Sequence, residues 1–120
     1  MASHPINLGL RFLLELAAWL GLGYWGWTQH TGVWRFVLGL GLPLLAMALW
    51  ATFRVPGDPG KAPVAVAGIL RLALELVEFG VAIGLLAAAD QTAWGIGLAV
   101  VVLLHYAASY DRIRWLLNRR

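Results

Sequence analysis

Four long apolar stretches take up most of this chain, and their length limits what it can fold into. They run from about Leu8 to Trp27, Trp34 to Phe53, Val66 to Ala89 and Trp94 to Tyr110. A helix needs roughly 20 mostly apolar residues to cross about 30 Å of hydrocarbon. Within lipid every backbone amide must find its partner inside the segment, which leaves helices and closed barrels as the only spanning structures. The sequence therefore predicts an all-α polytopic membrane protein, a four-transmembrane-helix bundle forming a single domain over residues 1–120. Hydrophobic residues make up 61% of the chain and charged residues 12%, where soluble domains carry about 25% charged residues. This balance excludes a disordered chain and a soluble globular enzyme. The chain has no cysteine, so disulfides and thiolate metal sites are excluded as well.

The links are short: TQHTGV at 28–33, RVPGDPGKAPVA at 54–65 and DQTA at 90–93. Short links make consecutive helices antiparallel neighbours. Arg54, Lys61, Arg112, Arg114, Arg119 and Arg120 lie in the middle link and the tail, with Arg11 and Arg71 near helix ends on the same side; Arg35 alone lies toward the other. An excess of Lys and Arg marks the cytoplasmic face, so both termini are expected inside. Trp25, Trp27, Trp34 and Trp94 form the outer aromatic belt, and Trp50, Tyr110 and Trp115 the inner one. The first apolar stretch has no Lys or Arg before it and contains Arg11 and Glu15, so it reads as a retained span rather than a cleaved signal. The bilayer accounts for the net charge of +3, and no nucleic-acid partner is expected.

The two halves repeat at an offset of 60. Leu10-Arg11 matches Leu70-Arg71, Leu14-Glu15-Leu16 matches Leu74-Glu75-Leu76, Trp34 matches Trp94, and Arg54 matches Arg114. An offset of two helices gives both halves one orientation, hence two parallel-repeat hairpins over about 8–53 and 68–114.

Ionisable residues within spans are expensive, roughly 2.5–3.5 kcal/mol at the centre on insertion scales, and they face protein rather than lipid. Arg11 and Glu15 are four apart, as are Arg71 and Glu75, so each pair shares a helix face. Glu78 lies one turn beyond Glu75 on that face, and His105 comes to a similar depth, roughly 16 Å below Trp94 at 1.5 Å per residue. One buried cluster of Arg11, Glu15, Arg71, Glu75, Glu78 and His105 is expected. It suits a proton or cation site in a transporter or channel. The alternatives are Arg–Glu pairs that only lock an accessory subunit of a larger complex, or a bundle that binds lipid or another hydrophobic ligand.

No metal or other cofactor is expected. His4 and His30 lie outside the spans, which removes a second haem ligand for His105, and the paired arginines argue against a metal among the glutamates. Ser109 is one turn from His105, but no oxyanion device accompanies the pair and no nucleotide-binding or hydrolase motif is present, so the chain is not expected to be an enzyme. Gly80 and Gly84 have the GxxxG spacing of a close helix contact, within the bundle or with a second copy or another membrane protein. Pro43 removes a bond to the Gly39 carbonyl and is expected to kink the second helix.

The segments LRFLLELAAWLGLGYWGW, GLGLPLLAMALWATF (Gly39–Phe53) and LRLALELVEFG resemble the YrdB-like family of small bacterial four-span membrane proteins of uncharacterised function. The resemblance runs from about Leu10 to Ala108. It implies a bacterial cytoplasmic (inner) membrane location and supplies no activity or catalytic residues.

Overall fold

A computed structural model of the chain describes residues 5–56 and 62–119. The expectations placed on His4, Lys61, Arg120 and the rest of the middle link at 57–60 fall outside these residues. The order of elements is α1 (Pro5–Thr28), α2 (Val33–Thr52), β1 (Phe53–Arg54), β2 (Val64–Ala65), α3 (Gly68–Ala88), α4 (Thr92–Ala108) and α5 (Tyr110–Leu117). The first four helices begin and end within three residues of the apolar stretches. The turns between them rest on left-handed residues: Gly32 at φ +62° before α2 and Asp90 at φ +61° before α4. Glycine adopts that conformation freely, and aspartate is among the few other residues that tolerate it. β1 and β2 form a two-residue parallel pair that ties the ends of the middle link together.

The fourth stretch departs from expectation. It does not continue to Tyr110 as one helix but breaks at Ser109, and α5 leaves α4 at 72°. Ser109 serves both helices. Its N–H donates to the His105 and Tyr106 carbonyls, and its own carbonyl accepts from Arg112 and Ile113. One buried stripe still crosses the bend: Leu98, Val102, His105, Ser109, Arg112 and Leu116.

α1 and α3 occupy the centre, with α2 packed on α1 and α4 on α3. The core is threaded by four aromatic rings in edge-to-face contact. Trp19 meets Trp50 at 6.2 Å, Trp50 meets Phe79 at 5.6 Å, and Phe79 meets Tyr106 at 6.2 Å between centroids. Such pairs contribute about 0.5–1.5 kcal/mol beyond their burial.

The close helix contacts are made by glycines other than the expected pair. A Cβ on Gly26 would collide with the Leu38 backbone, and one on Gly68 with the Leu116 carbonyl. α2 runs unbroken through Pro43. The Gly39 carbonyl, which the proline cannot bond, lies 3.1 Å from where a Cβ on Gly23 would stand, and the proline ring packs beside it at 3.5 Å. Gly39 and Pro43 therefore help to seat α2 on α1. Gly80 and Gly84 lie on the exposed side of α3 with nothing within 4 Å of an added Cβ.

The outer faces are apolar: Leu20 is 73% exposed, Leu44 62% and Leu103 70%, and α2 buries only Gly39, Ala46 and Trp50. Two helices, α1 and α2, are long and apolar enough to cross a membrane, and the bent α4–α5 pair makes a third if taken as one span. α3 has 21 residues, but its charges, Arg71, Glu75 and Glu78, set it apart from an ordinary span.

A candidate functional site around three clustered carboxylates

The expected cluster assembles because α1 and α3 face each other with their Arg–Glu pairs at the same level. Its centre is Glu75, 1% exposed. Oε2 accepts from Arg71 Nε at 2.8 Å, from Arg11 Nη2 at 3.3 Å and from Arg112 Nη2 at 2.8 Å. Oε1 accepts from Arg112 Nη1 at 3.0 Å and from the Tyr106 hydroxyl at 2.6 Å. α1, α3, α4 and α5 thus converge on one carboxylate, with Arg112 binding it through both prongs of its guanidinium. That two-pronged geometry gives the strongest and most directional ion pairs.

Arg71 is fully buried and has a second role. Its Nη1 donates to the Trp50 and Phe53 carbonyls, the latter at 2.8 Å, and its guanidinium lies 4.7 Å from the centre of the Trp50 ring. The last carbonyls of a helix lack intrahelical donors and carry partial negative charge. Arg71 supplies both the donor and the positive charge at the end of α2.

Glu15 and Glu78 are held less completely. Glu15 pairs with Arg11 at 3.5 Å. Glu78 is 6% exposed; its Oε1 accepts from Trp19 Nε1 at 3.3 Å, while its Oε2 is buried without a partner. Among the described residues no cation pairs with Glu78. It stands in the wall of a cavity of about 230 Å³ between α2 and α3, lined otherwise by Leu22, Leu42, Leu45, Ala46, Leu49, Val77, Val81 and Leu85.

His105 is buried but stands one step from the carboxylates. Its Nδ1 lies 3.1 Å from Asn7 Oδ1, and Asn7 Nδ2 donates to Ser109 Oγ at 2.7 Å. The His–Ser pair that their spacing suggests is thus bridged by Asn7. Among the described residues no group of three or more His, Asp or Glu is placed to hold a metal ion.

All six expected residues are buried or half-buried in one region, and four further residues belong with them. Arg112, read from sequence as a marker of the inner face, is only 8% exposed and lies inside the cluster. It belongs with the cluster, and with it Glu75 faces three guanidiniums. Tyr106, Asn7 and Trp19 complete the hydrogen bonding. The spacing His105, Ser109, Arg112 repeats at four and three residues, and extending that face would have found Arg112.

The model of a family described as protein of unknown function (DUF2568) matches residues 9–103. The chain belongs to this family. The matched segment contains all five members of the family chain's two Arg–Glu pairs and Glu78, and ends before His105. A curated relative, "Uncharacterized protein YrdB" of Bacillus subtilis (strain 168), is 40% identical over 119 residues, covering 97% of each chain. No solved structure matches.

Proposed function

We propose that this family member is a small integral membrane protein of the bacterial cytoplasmic membrane, with four spans and both termini inside, that moves protons or a cationic solute through a site at Glu78 and Glu15. The observation that carries the reading is Glu78: a buried carboxylate with one oxygen unpartnered, in the wall of a cavity. Glu75 is saturated by five hydrogen bonds, whereas a buried carboxylate oxygen without a partner calls for an explanation, and exchange of a proton or a cation supplies one. Within lipid, an ionisable group of this kind is a functional-site candidate by default. The fold supports a division of labour in which Glu75 holds the helices and Glu78 exchanges its partner. No catalytic step and no cofactor enter this reading. The exposed Gly80 and Gly84 leave α3 a face for a second copy or another membrane protein.

The test is proton flux in proteoliposomes under an imposed pH gradient, read with an entrapped pH dye. Glu78→Gln abolishes flux above the empty-liposome leak while the protein stays folded and elutes like wild type. Flux equal to wild type in Glu78→Gln, or no flux from the wild type with or without added cations, removes the reading. A second reading, an accessory subunit held together by its charges, is favoured by the saturation of Glu75. It predicts a stoichiometric partner on gentle solubilisation.

A further inference from the structure

The sequence repeat pairs α2 with α4 and α1 with α3, yet the structure treats the two resulting seams differently. On α4 the seam toward α1 is filled by His105, Tyr106 and Ser109, with Asn7 of α1 bonding the histidine and the serine. The residues 60 positions earlier on α2 are Leu45, Ala46 and Leu49. These three line the cavity between α2 and α3. The cavity is thus the counterpart of a space that is filled in the other half by an imidazole, a phenol and a hydroxyl. The facing helix differs in the complementary sense. Ala18 of α1 is a buried small residue, and its counterpart on α3 is Glu78. Where one seam has closed on small and hydrogen-bonded groups, the other has gained a carboxylate and lost the side chains that would cover it.

From this asymmetry we propose that the α2–α3 cavity is a binding site for a small amphiphilic ammonium ion, its hydrocarbon body against the Leu and Val wall and its cationic head against Glu78. This rests on the reading of Glu78 as the exchanging group and names the class of solute. The occupant follows from the wall. Its accessible surface is carbon throughout, so the body must be hydrocarbon. Behind that surface lies a carboxylate with one unpartnered oxygen, and a turn of the Glu78 side chain toward the cavity would present it to a positively charged donor as the head. A volume of about 230 Å³ admits a short chain rather than a whole phospholipid. The many exposed apolar side chains of α2 and α3, such as Leu44 at 62% and Val77 at 60%, make the approach lateral, from the hydrocarbon layer.

The test uses the full chain in lipid nanodiscs and radiolabelled decylammonium, with empty nanodiscs as background. Saturable binding is expected, at least tenfold weaker in Glu78→Gln and absent in Ala46→Phe, which puts a ring where Tyr106 stands in the other half. Val81→Trp, at a wall position 46% exposed, is the second filling variant should Ala46→Phe fail to fold. Decanol is expected to compete at least tenfold less well than unlabelled decylammonium. Equal competition by decanol, equal binding by Glu78→Gln, or no saturable binding overturns the site, the first result marking a slot for acyl chains. Decylammonium binding without proton or decylammonium flux in proteoliposomes upholds the site and removes the carrier. Proton flux without binding removes the site and leaves the carrier.

Discussion

Replacing Glu75 by Gln keeps the shape of the side chain and removes the one charge on which three guanidiniums converge. In the native structure that carboxylate accepts five hydrogen bonds from Arg11, Arg71, Arg112 and Tyr106. A glutamine has one oxygen to share among these donors, and its own NH2 turns two more donors toward them. Removing one partner of a buried ion pair costs about 3–5 kcal/mol, because the remaining charge stays buried without compensation. Glu78→Gln is the matched control: it alters one long hydrogen bond from Trp19, and a typical hydrogen bond contributes about 0.5–1.5 kcal/mol. The two variants should therefore differ by about 2–4 kcal/mol. That is a factor of about 30 to 1,000 in the unfolding equilibrium at 1.4 kcal/mol per decade. Reversible unfolding in mixed micelles, followed by tryptophan fluorescence, measures the difference; Trp50, stacked on Arg71, lies close enough to sense the change. A double-mutant cycle with Arg112→Ala should show coupling of at least about 1 kcal/mol, as expected for contacting residues. If Glu75→Gln costs no more than Glu78→Gln, Glu75 does not hold the helices together.

Other substitutions probe the neighbouring contacts. Arg112→Lys loses the two-pronged grip on Glu75 and should cost at least about 1 kcal/mol in the same unfolding assay, since a lysine presents a point charge rather than a fork. Asn7→Ala strips partners from both His105 and Ser109 and should destabilise by about 1–3 kcal/mol, with Asn7→Leu no better. Gly68→Ala and Gly26→Ala meet backbone atoms of Leu116 and Leu38 and should prevent a monodisperse, folded peak on size-exclusion chromatography. Gly80→Ala, facing open space, should elute like wild type and gain up to about 1 kcal/mol from helix propensity.

The apolar stretches made the helices legible because length and hydrophobicity alone define them, and the i, i+4 spacing placed Arg71 beside Glu75. What stayed hidden depended on tertiary partners. Arg112 looked like one more basic residue in a basic tail, and only its place on the face of His105 and Ser109 set it apart from an arginine at a membrane surface. It lies on α5, beyond the 72° turn at Ser109, where a sequence reading of one straight helix does not reach. Gly80 and Gly84 match a packing motif, whereas glycines that make contacts inside the fold, such as Gly23, Gly26 and Gly68, are identified by what lies opposite them. A spacing rule has no access to that. His105 came to the right depth and the right side, but its hydrogen-bond partner is Asn7, 98 residues away.

The order of the charges along the chain has a consequence for synthesis. Arg11 and Glu15 are translated first, then Arg71, Glu75 and Glu78, and Arg112 only near the end. A nascent chain that has just delivered Glu78 can therefore bond Glu75 through only two guanidiniums, those of Arg11 and Arg71. Its central carboxylate lacks the pair of bonds that Arg112 will make. Helices α1 to α3 can associate at this stage, but their junction is electrostatically incomplete. The Gly68 N–H likewise waits for the Arg119 carbonyl, 2.9 Å away in the finished fold. The junction is completed only when α5 is released, and a ribosome that stalls before Arg112 leaves behind a bundle whose central carboxylate lacks two of its five hydrogen bonds.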